Sequence, residues 1–218
     1  KGFEDRRLYF KSGQGLSESR PEGASGSDSY KVDFTATTGE SNRWRTNLGG
    51  GRIAYPNRAE EDKKLLVYTS EALTEDVEIT GVPVVTLNMS SSAEDGAFYV
   101  YLEDVAPDGK VTYVTEGELR AVHRQVTEGD QGHAVLGPKH SFVEKDGKLL
   151  VPGENTEIKI GMQATSVLLK KGHSIRIAIA GHDCSNFRKI AEADTPVINV
   201  QRDEEFSSFV ELPMKIRD

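Results

Sequence analysis

Phe98-Tyr99-Val100-Tyr101-Leu102-Glu103-Asp104-Val105, then Ala106-Pro107-Asp108-Gly109, then Lys110-Val111-Thr112-Tyr113-Val114-Thr115 is the stretch that decides the fold class. Two runs rich in aromatic and β-branched residues flank four turn formers. Proline presets one backbone angle and Asp-Gly tolerates the positive φ that reverses a chain between strands, so the segment predicts a β-hairpin. Gly117 then opens a further strand, Glu118-Leu119-Arg120-Ala121-Val122-His123-Arg124.

The same grammar recurs on either side. Leu65-Leu66-Val67-Tyr68-Thr69, Val77-Glu78-Ile79-Thr80 and Pro83-Val84-Val85-Thr86-Leu87-Asn88-Met89 are short apolar or alternating runs bounded by turn chemistry. So are Val197-Ile198-Asn199-Val200-Gln201 and Ser208-Phe209-Val210-Glu211-Leu212-Pro213. A second hairpin is predicted in which residues 157–162, continuing to 167–169, pair with 173–179 across Lys170-Lys171-Gly172. Ile175, Ile177 and Ile179 then share one face, because strand side chains alternate. Helical periodicity is nearly absent. About ten strands are expected, and two packed sheets bury that many half-apolar strands without long exposed edges. A closed barrel and an immunoglobulin-like sandwich are the alternatives.

The chain length of 218 residues fits one β-sandwich domain over 1–218. A net charge of -8 repels phosphate backbones and anionic lipid, so neither nucleic acid nor membrane is an expected partner. The acidic clusters Glu60-Glu61-Asp62 and Asp203-Glu204-Glu205 read as solvated faces. Cys184 is the single cysteine, which excludes an intramolecular disulfide and a multi-cysteine zinc site. No apolar run approaches the roughly 20 residues of a membrane span, and Lys1-Gly2-Phe3-Glu4-Asp5-Arg6-Arg7 lacks a signal-peptide core. A soluble chain is expected; its compartment stays open, with the cytoplasm favoured. Residues 12–60 are rich in Gly, Ser, Arg and Asn and include Gly49-Gly50-Gly51. They predict an irregular but anchored excursion, pinned by Tyr30, Phe34 and Trp44.

Acyl-transfer machinery is missing from the expected places. An α/β serine hydrolase needs G-x-S-x-G on a strand-to-helix turn. The nearest strings, Gly23-Ala24-Ser25-Gly26-Ser27 and Gly15-Leu16-Ser17-Glu18-Ser19, lack the closing glycine. Gly181-His182-Asp183-Cys184-Ser185-Asn186-Phe187 holds every residue type of a triad, but triad members converge from separate loops. The expectation there is a strand-end turn with a partly buried thiol. His123, His133, His140, His173 and His182 show no i, i+4 pair, and Asp95, Asp104 and Asp108 lack the spacing of a calcium loop, so no metal or cofactor is assigned. Tyr99, Tyr101 and Tyr113 are read as packing residues. Trp44, between Arg43 and Arg45, suits either docking or anchoring.

Several phrases in order resemble the C-terminal domain of the X-prolyl dipeptidyl-peptidase and cocaine-esterase group of serine hydrolases. They are Tyr68-Thr69-Ser70-Glu71-Ala72-Leu73, Asp76-Val77-Glu78-Ile79-Thr80-Gly81, residues 85–92 and Leu102-Glu103-Asp104-Val105-Ala106-Pro107-Asp108-Gly109. Gly117-Glu118-Leu119-Arg120-Ala121 and Gly172-His173-Ser174-Ile175-Arg176-Ile177 complete the series. The resemblance implies an all-β, galactose-binding-like jelly-roll β-sandwich that packs against an α/β-hydrolase domain and its helical cap in the same parent chain. It implies that the catalytic Ser, Asp and His belong to that hydrolase domain, outside this stretch, which then reads as an excised or processed fragment. By position it also implies that Trp44, Arg45 and Leu48 approach the acyl pocket or the interdomain contact. The family often has a proline near residues 184–187, which this chain lacks. Two other classes are carried as expectations: a carbohydrate-binding module using Trp44, and a scaffold or homo-oligomerisation module marked by an exposed apolar patch.

Overall fold

A computed structural model describes residues 2–23, 26–44, 51–127, 136–190 and 194–217. Among these described residues there are thirteen strands and four single-turn 3₁₀ helices. The strands are β1 (Glu4–Lys11), β2 (Gly15–Ser17), β3 (Ser27–Lys31), β4 (Leu66–Ser70), β5 (Asp76–Gly81), β6 (Val84–Ser91) and β7 (Ala97–Val105). They continue as β8 (Val111–Arg120), β9 (Thr156–Gly161), β10 (Thr165–Leu169), β11 (Ser174–Ala180), β12 (Val197–Gln201) and β13 (Phe209–Arg217).

Hydrogen bonding links them in the order β3-β12-β6-β13-β1-β2-β4-β11-β7-β8, with β9 beside β6 and β5-β10 beside β13. One layer of this jelly-roll β-sandwich is built around β6 and β13, the other around β4, β11, β7 and β8. β1 turns the corner: its residues 4–9 pair with β13 and its residues 9–11 with β2, which runs parallel to β4. Side-chain alternation sends Val77 and Ile79 of β5, Ile158 and Ile160 of β9, and Val210, Leu212 and Met214 of β13 into a single core shared with Val100, Leu102, Ile175, Ile177 and Ile179 of the opposite layer. At the corner Phe10 stacks on Tyr68 with ring centroids 4.1 Å apart.

The hairpin predicted around residues 98–115 is present. β7 and β8 pair from Val105↔Val111 onward, and Gly109 closes the turn at φ 84°. Gly117 does not open a new strand, however: β8 runs on to Arg120 and ends in the short helix Ala121–His123. The glycine is there for closeness. A Cβ on it would lie 2.5 Å from the Gly161 carbonyl oxygen and 3.0 Å from Met162 Cα. Beside it Thr115 Oγ1 donates to the Gln163 carbonyl at 2.9 Å and Gln163 N to the Glu116 carbonyl at 2.8 Å, stitching the two layers along one side.

The second predicted hairpin is corrected. β10 pairs with β5 and β11 with β4 and β7, so the 170–173 connection crosses between layers instead of joining neighbours. Ile175, Ile177 and Ile179 still share one buried face of β11, because alternation is the same whichever partner a strand finds. The 12–60 excursion is also less irregular than predicted, since it contains β2 and β3. Tyr30 is buried on β3, and Phe34 packs edge-on against His182, as an anchored excursion requires.

Candidate functional site

β7 is buried on both faces, unlike a strand with one side in water. Its inner face meets the core. Its outer face, with those of β8 and β11, is covered by residues 33–44 and 51–65, and a β-bulge sets which side chains lie beneath that cover. The ladder pairs Glu103 with Tyr113 but Leu102 with Thr115, so Val114 is passed over. The extra residue flips the parity of β8. Tyr113, Glu116 and Glu118 therefore all point outward, although Tyr113 and Glu116 would face opposite ways on a regular strand. Beside them stand Tyr99, Tyr101 and Glu103 of β7 and, on β11, Ala178 and Ala180, whose small side chains leave room for the cover.

The cover is held by buried ion pairs. Arg58 Nε lies 3.2 Å from Glu103 Oε1, with both side chains essentially inaccessible, and its guanidinium sits over the Tyr101 ring at 5.1 Å. Arg58 Nη1 also donates to the Thr37 carbonyl at 2.7 Å. Asp62 accepts from Arg176 Nη1 at 2.7 Å and is only 4% exposed, so this member of the acidic cluster is not a solvated face. Desolvation, reinforced by the nearby Asp62 carboxylate, holds the Glu103 pKa above the ordinary carboxylate range against the pull of Arg58. Asp183, at the end of β11, accepts from Thr38 N at 3.3 Å and from Asn186 Nδ2 at 2.9 Å, tying residue 38 of the cover to the sheet.

At the open side of this layer the polar groups are less completely matched. Arg43 donates to Gln163 Oε1 at 2.6 Å and approaches Glu116 Oε1 at 3.5 Å, while Tyr55 stacks on Tyr113 at 3.8 Å. Trp44 stands edge-on to Phe187 at 5.2 Å, and Phe187 contacts Tyr99 at 5.0 Å. The Tyr113 hydroxyl and Trp44 indole lie close enough to Glu116 to favour its ionised form, yet desolvation outweighs them and raises its pKa. Neither group completes a hydrogen bond: Trp44 Nε1, Tyr113 OH and Glu118 Oε1 are buried atoms without a hydrogen-bond partner, and Glu116 Oε1 has only the Arg43 guanidinium, 3.5 Å away. Burial, with the Glu116 charge second, pushes Glu118 up to about 8. Such a pair can accept a hydrogen bond or a cation.

A pH dependence follows. A carboxyl whose pKa rises from the ordinary 4.5 to about 8 on folding binds its proton more tightly in the native state, so this contribution weakens the fold as pH climbs through that window. Glu118→Gln is expected to leave stability at pH 5 nearly unchanged and to raise it at pH 8 by about 2 kcal/mol, after allowance for partial solvent access. Urea denaturation at both pH values checks this, and equal effects at the two would contradict it.

The family described as X-Pro dipeptidyl-peptidase C-terminal non-catalytic domain has a model that matches residues 3–205. The chain belongs to that family. Over 207 residues it is 44% identical to a protein of Mycobacterium tuberculosis named "Putative serine esterase", covering 94% of this chain and 33% of that protein. It is 30% identical over 165 residues to the cocaine esterase of a Rhodococcus species, covering 69% of this chain and 25% of the esterase. Among solved structures, an α-amino acid ester hydrolase superposes with a TM-score of 0.75 at 18% identity, over 97% of this chain and 36% of that one. The chain thus spans a quarter to a third of the length of these curated relatives.

In this X-Pro dipeptidyl-peptidase C-terminal domain the residues singled out from sequence fall as follows. Trp44 is half-buried at the rim of the outer layer, while Arg45 and Leu48 lie outside the described residues, as do Ser25, His133 and Gly49-Gly50. The triad-like turn does not assemble. His182 packs on Phe34, Asp183 serves the cover, and Cys184 Sγ faces the Thr35 carbonyl at 3.7 Å. Its thiol is exposed rather than partly buried. Asp95 takes Arg120 Nε at 2.8 Å, Asp104 takes His173 Nδ1 at 2.7 Å and Asp108 caps the β7–β8 turn, so these aspartates are dispersed. Among the described residues no group of three His, Cys, Asp or Glu side chains is placed to hold a metal. A cavity of about 540 Å³ at the β1, β2 and β5 end has no aromatic among its described lining residues. Sequence reading missed Glu116 and Glu118. The available signal was the break in alternation across Tyr113-Val114-Thr115-Glu116-Gly117-Glu118-Leu119, where tyrosine and glutamate swap parity.

Proposed function

We propose that this chain is the non-catalytic part of a longer serine hydrolase acting on esters, with X-prolyl peptides as the other substrate class, and that it packs against an α/β-hydrolase domain with its helical cap. In this reading Trp44, with Arg45 and Leu48 beside it, supplies part of the wall of the acyl pocket. The observation that carries it is the setting of Trp44: a half-buried indole braced by Phe187, on the rim of a layer where the Trp44 Nε1, the Tyr113 hydroxyl and Glu118 Oε1 still lack hydrogen-bond partners. The relatives support the ester class, since the matched proteins carry esterase names and three times the length of this chain.

The test uses the full-length polypeptide. Trp44→Ala is expected to raise KM for a bulky acyl ester by about tenfold, roughly 1.4 kcal/mol of lost binding, with kcat little changed. An unchanged KM removes Trp44 from the pocket. Labelling of the 218-residue chain itself by a fluorophosphonate, lost on mutating one serine, would overturn the non-catalytic assignment.

A further inference from the structure

Next to the Trp44 rim lies a groove that the reading above does not use. Two surface cavities of about 310 Å³ each are both lined by Glu118, Leu119 and Phe142, one extending to Tyr99 and Phe187 and the other to Leu136. Phe142 is the ridge between them. It is 63% exposed, and its backbone sits at φ 55°, where a bulky side chain is strained by about 1–3 kcal/mol. The loop enforces this: Ser141 Oγ donates to Asp146 Oδ2 at 2.6 Å, and the ring is flanked by His123 and His140 at 5.2 and 6.1 Å. A strained aromatic held outward beside Leu136, itself 73% exposed, is a surface built to be covered.

The groove floor says what should arrive. Glu118 Oε1 is buried without a hydrogen-bond partner; behind it the 1% exposed Glu116 is already approached by Arg43 at 3.5 Å, which leaves Glu118 as the carboxylate facing the groove. Arg188 and Lys139 stand among the lining residues and Arg120 is held by Asp95, yet none of them donates to Glu118 Oε1. A buried carboxylate oxygen between aromatic walls is matched by a guanidinium or ammonium on a long apolar stem. Continuity supplies the occupant. Phe187 both lines the groove and braces Trp44, so groove and rim form one face, and about two-thirds of the length of the matched relatives lies outside this chain.

We propose that the Phe142 groove seats an arginine or lysine side chain of the hydrolase portion of the same longer polypeptide, its cation on Glu118 and its neighbours over Phe142 and Leu136. This rests on the packing reading above and adds the surface and its chemistry. The test is hydroxyl-radical footprinting of the full-length polypeptide, using Phe206, 37% exposed on this chain, as the internal reference. Phe142 is expected to be oxidised about tenfold more slowly than Phe206 despite its greater exposure here, as burial in an interface core requires. Glu118→Lys, which sets a like charge against the incoming cation, should restore its oxidation, with Glu118→Gln intermediate. Phe142 oxidised as fast as Phe206, while Trp44→Ala still raises KM, would overturn the groove assignment alone; if KM is also unmoved, both readings fall. Protection indifferent to Glu118→Lys would overturn the cation, and protection that fades on dilution would mean a second copy of the chain instead.

Discussion

Arg58→Ala is expected to lower the stability of the chain by about 3–5 kcal/mol, the cost of leaving a buried carboxylate without its counter-ion. Arg58 is 1% exposed, and it is bound at once to Glu103, the Tyr101 face and the Thr37 carbonyl, so its loss frees the cover as well as the charge. Glu103 already holds its proton more tightly than an ordinary glutamate, and without Arg58 that tendency grows. The mutant's deficit should therefore shrink as pH falls and Glu103 is neutralised in the folded state. Replacing both partners, Arg58→Met with Glu103→Leu, should recover most of the loss, because two apolar groups of similar volume need no pairing. Urea unfolding of the single and double variants at pH 5 and 8 measures this. A single-mutant deficit below about 1 kcal/mol would show that the pair is not what holds the layer.

Gly117→Ala should be the most damaging single-methyl change, at about 3 kcal/mol. The added carbon meets backbone on the facing segment, 2.5 Å from an oxygen, and no rotamer can move a carbonyl aside. Relief requires β8 to draw away from residues 161–163, breaking the Gln163 bonds to Glu116 and Thr115 and loosening the Gln163 that holds Arg43. Gly96→Ala is the control. No atom lies within 4 Å of a Cβ there, so its effect should stay within about 0.5 kcal/mol. Similar thermal unfolding midpoints for the two variants would contradict the seam.

Turn chemistry is local, which is why the β7–β8 hairpin could be read from residues 98–115 before any partner was known. The partners of β10 and β11 could not, since Thr80 and Leu102 lie far from residues 165–180 in the chain and alternation does not name a neighbour. Trp44 was legible by type, as an aromatic in a loop-rich stretch flanked by arginines. Glu116 and Glu118 were not. Carboxylates two apart on a strand read as a face in water, and only the cover laid down by residues 33–44 and 51–65 takes that water away. Asp62 was misread for the same reason: its partner Arg176 lies more than a hundred residues further on.

The order in which the strands are made also matters. β13, the last of these thirteen strands, lies between β1, the first of them, and both β5 and β6. During synthesis the earlier strands must leave the ribosome with that slot vacant, so the sandwich cannot close until translation has passed residue 217. Until then the open edges of β1 and β6 present unpaired backbone, and nascent chains stalled short of β13 should be the species that chaperones hold and proteases remove.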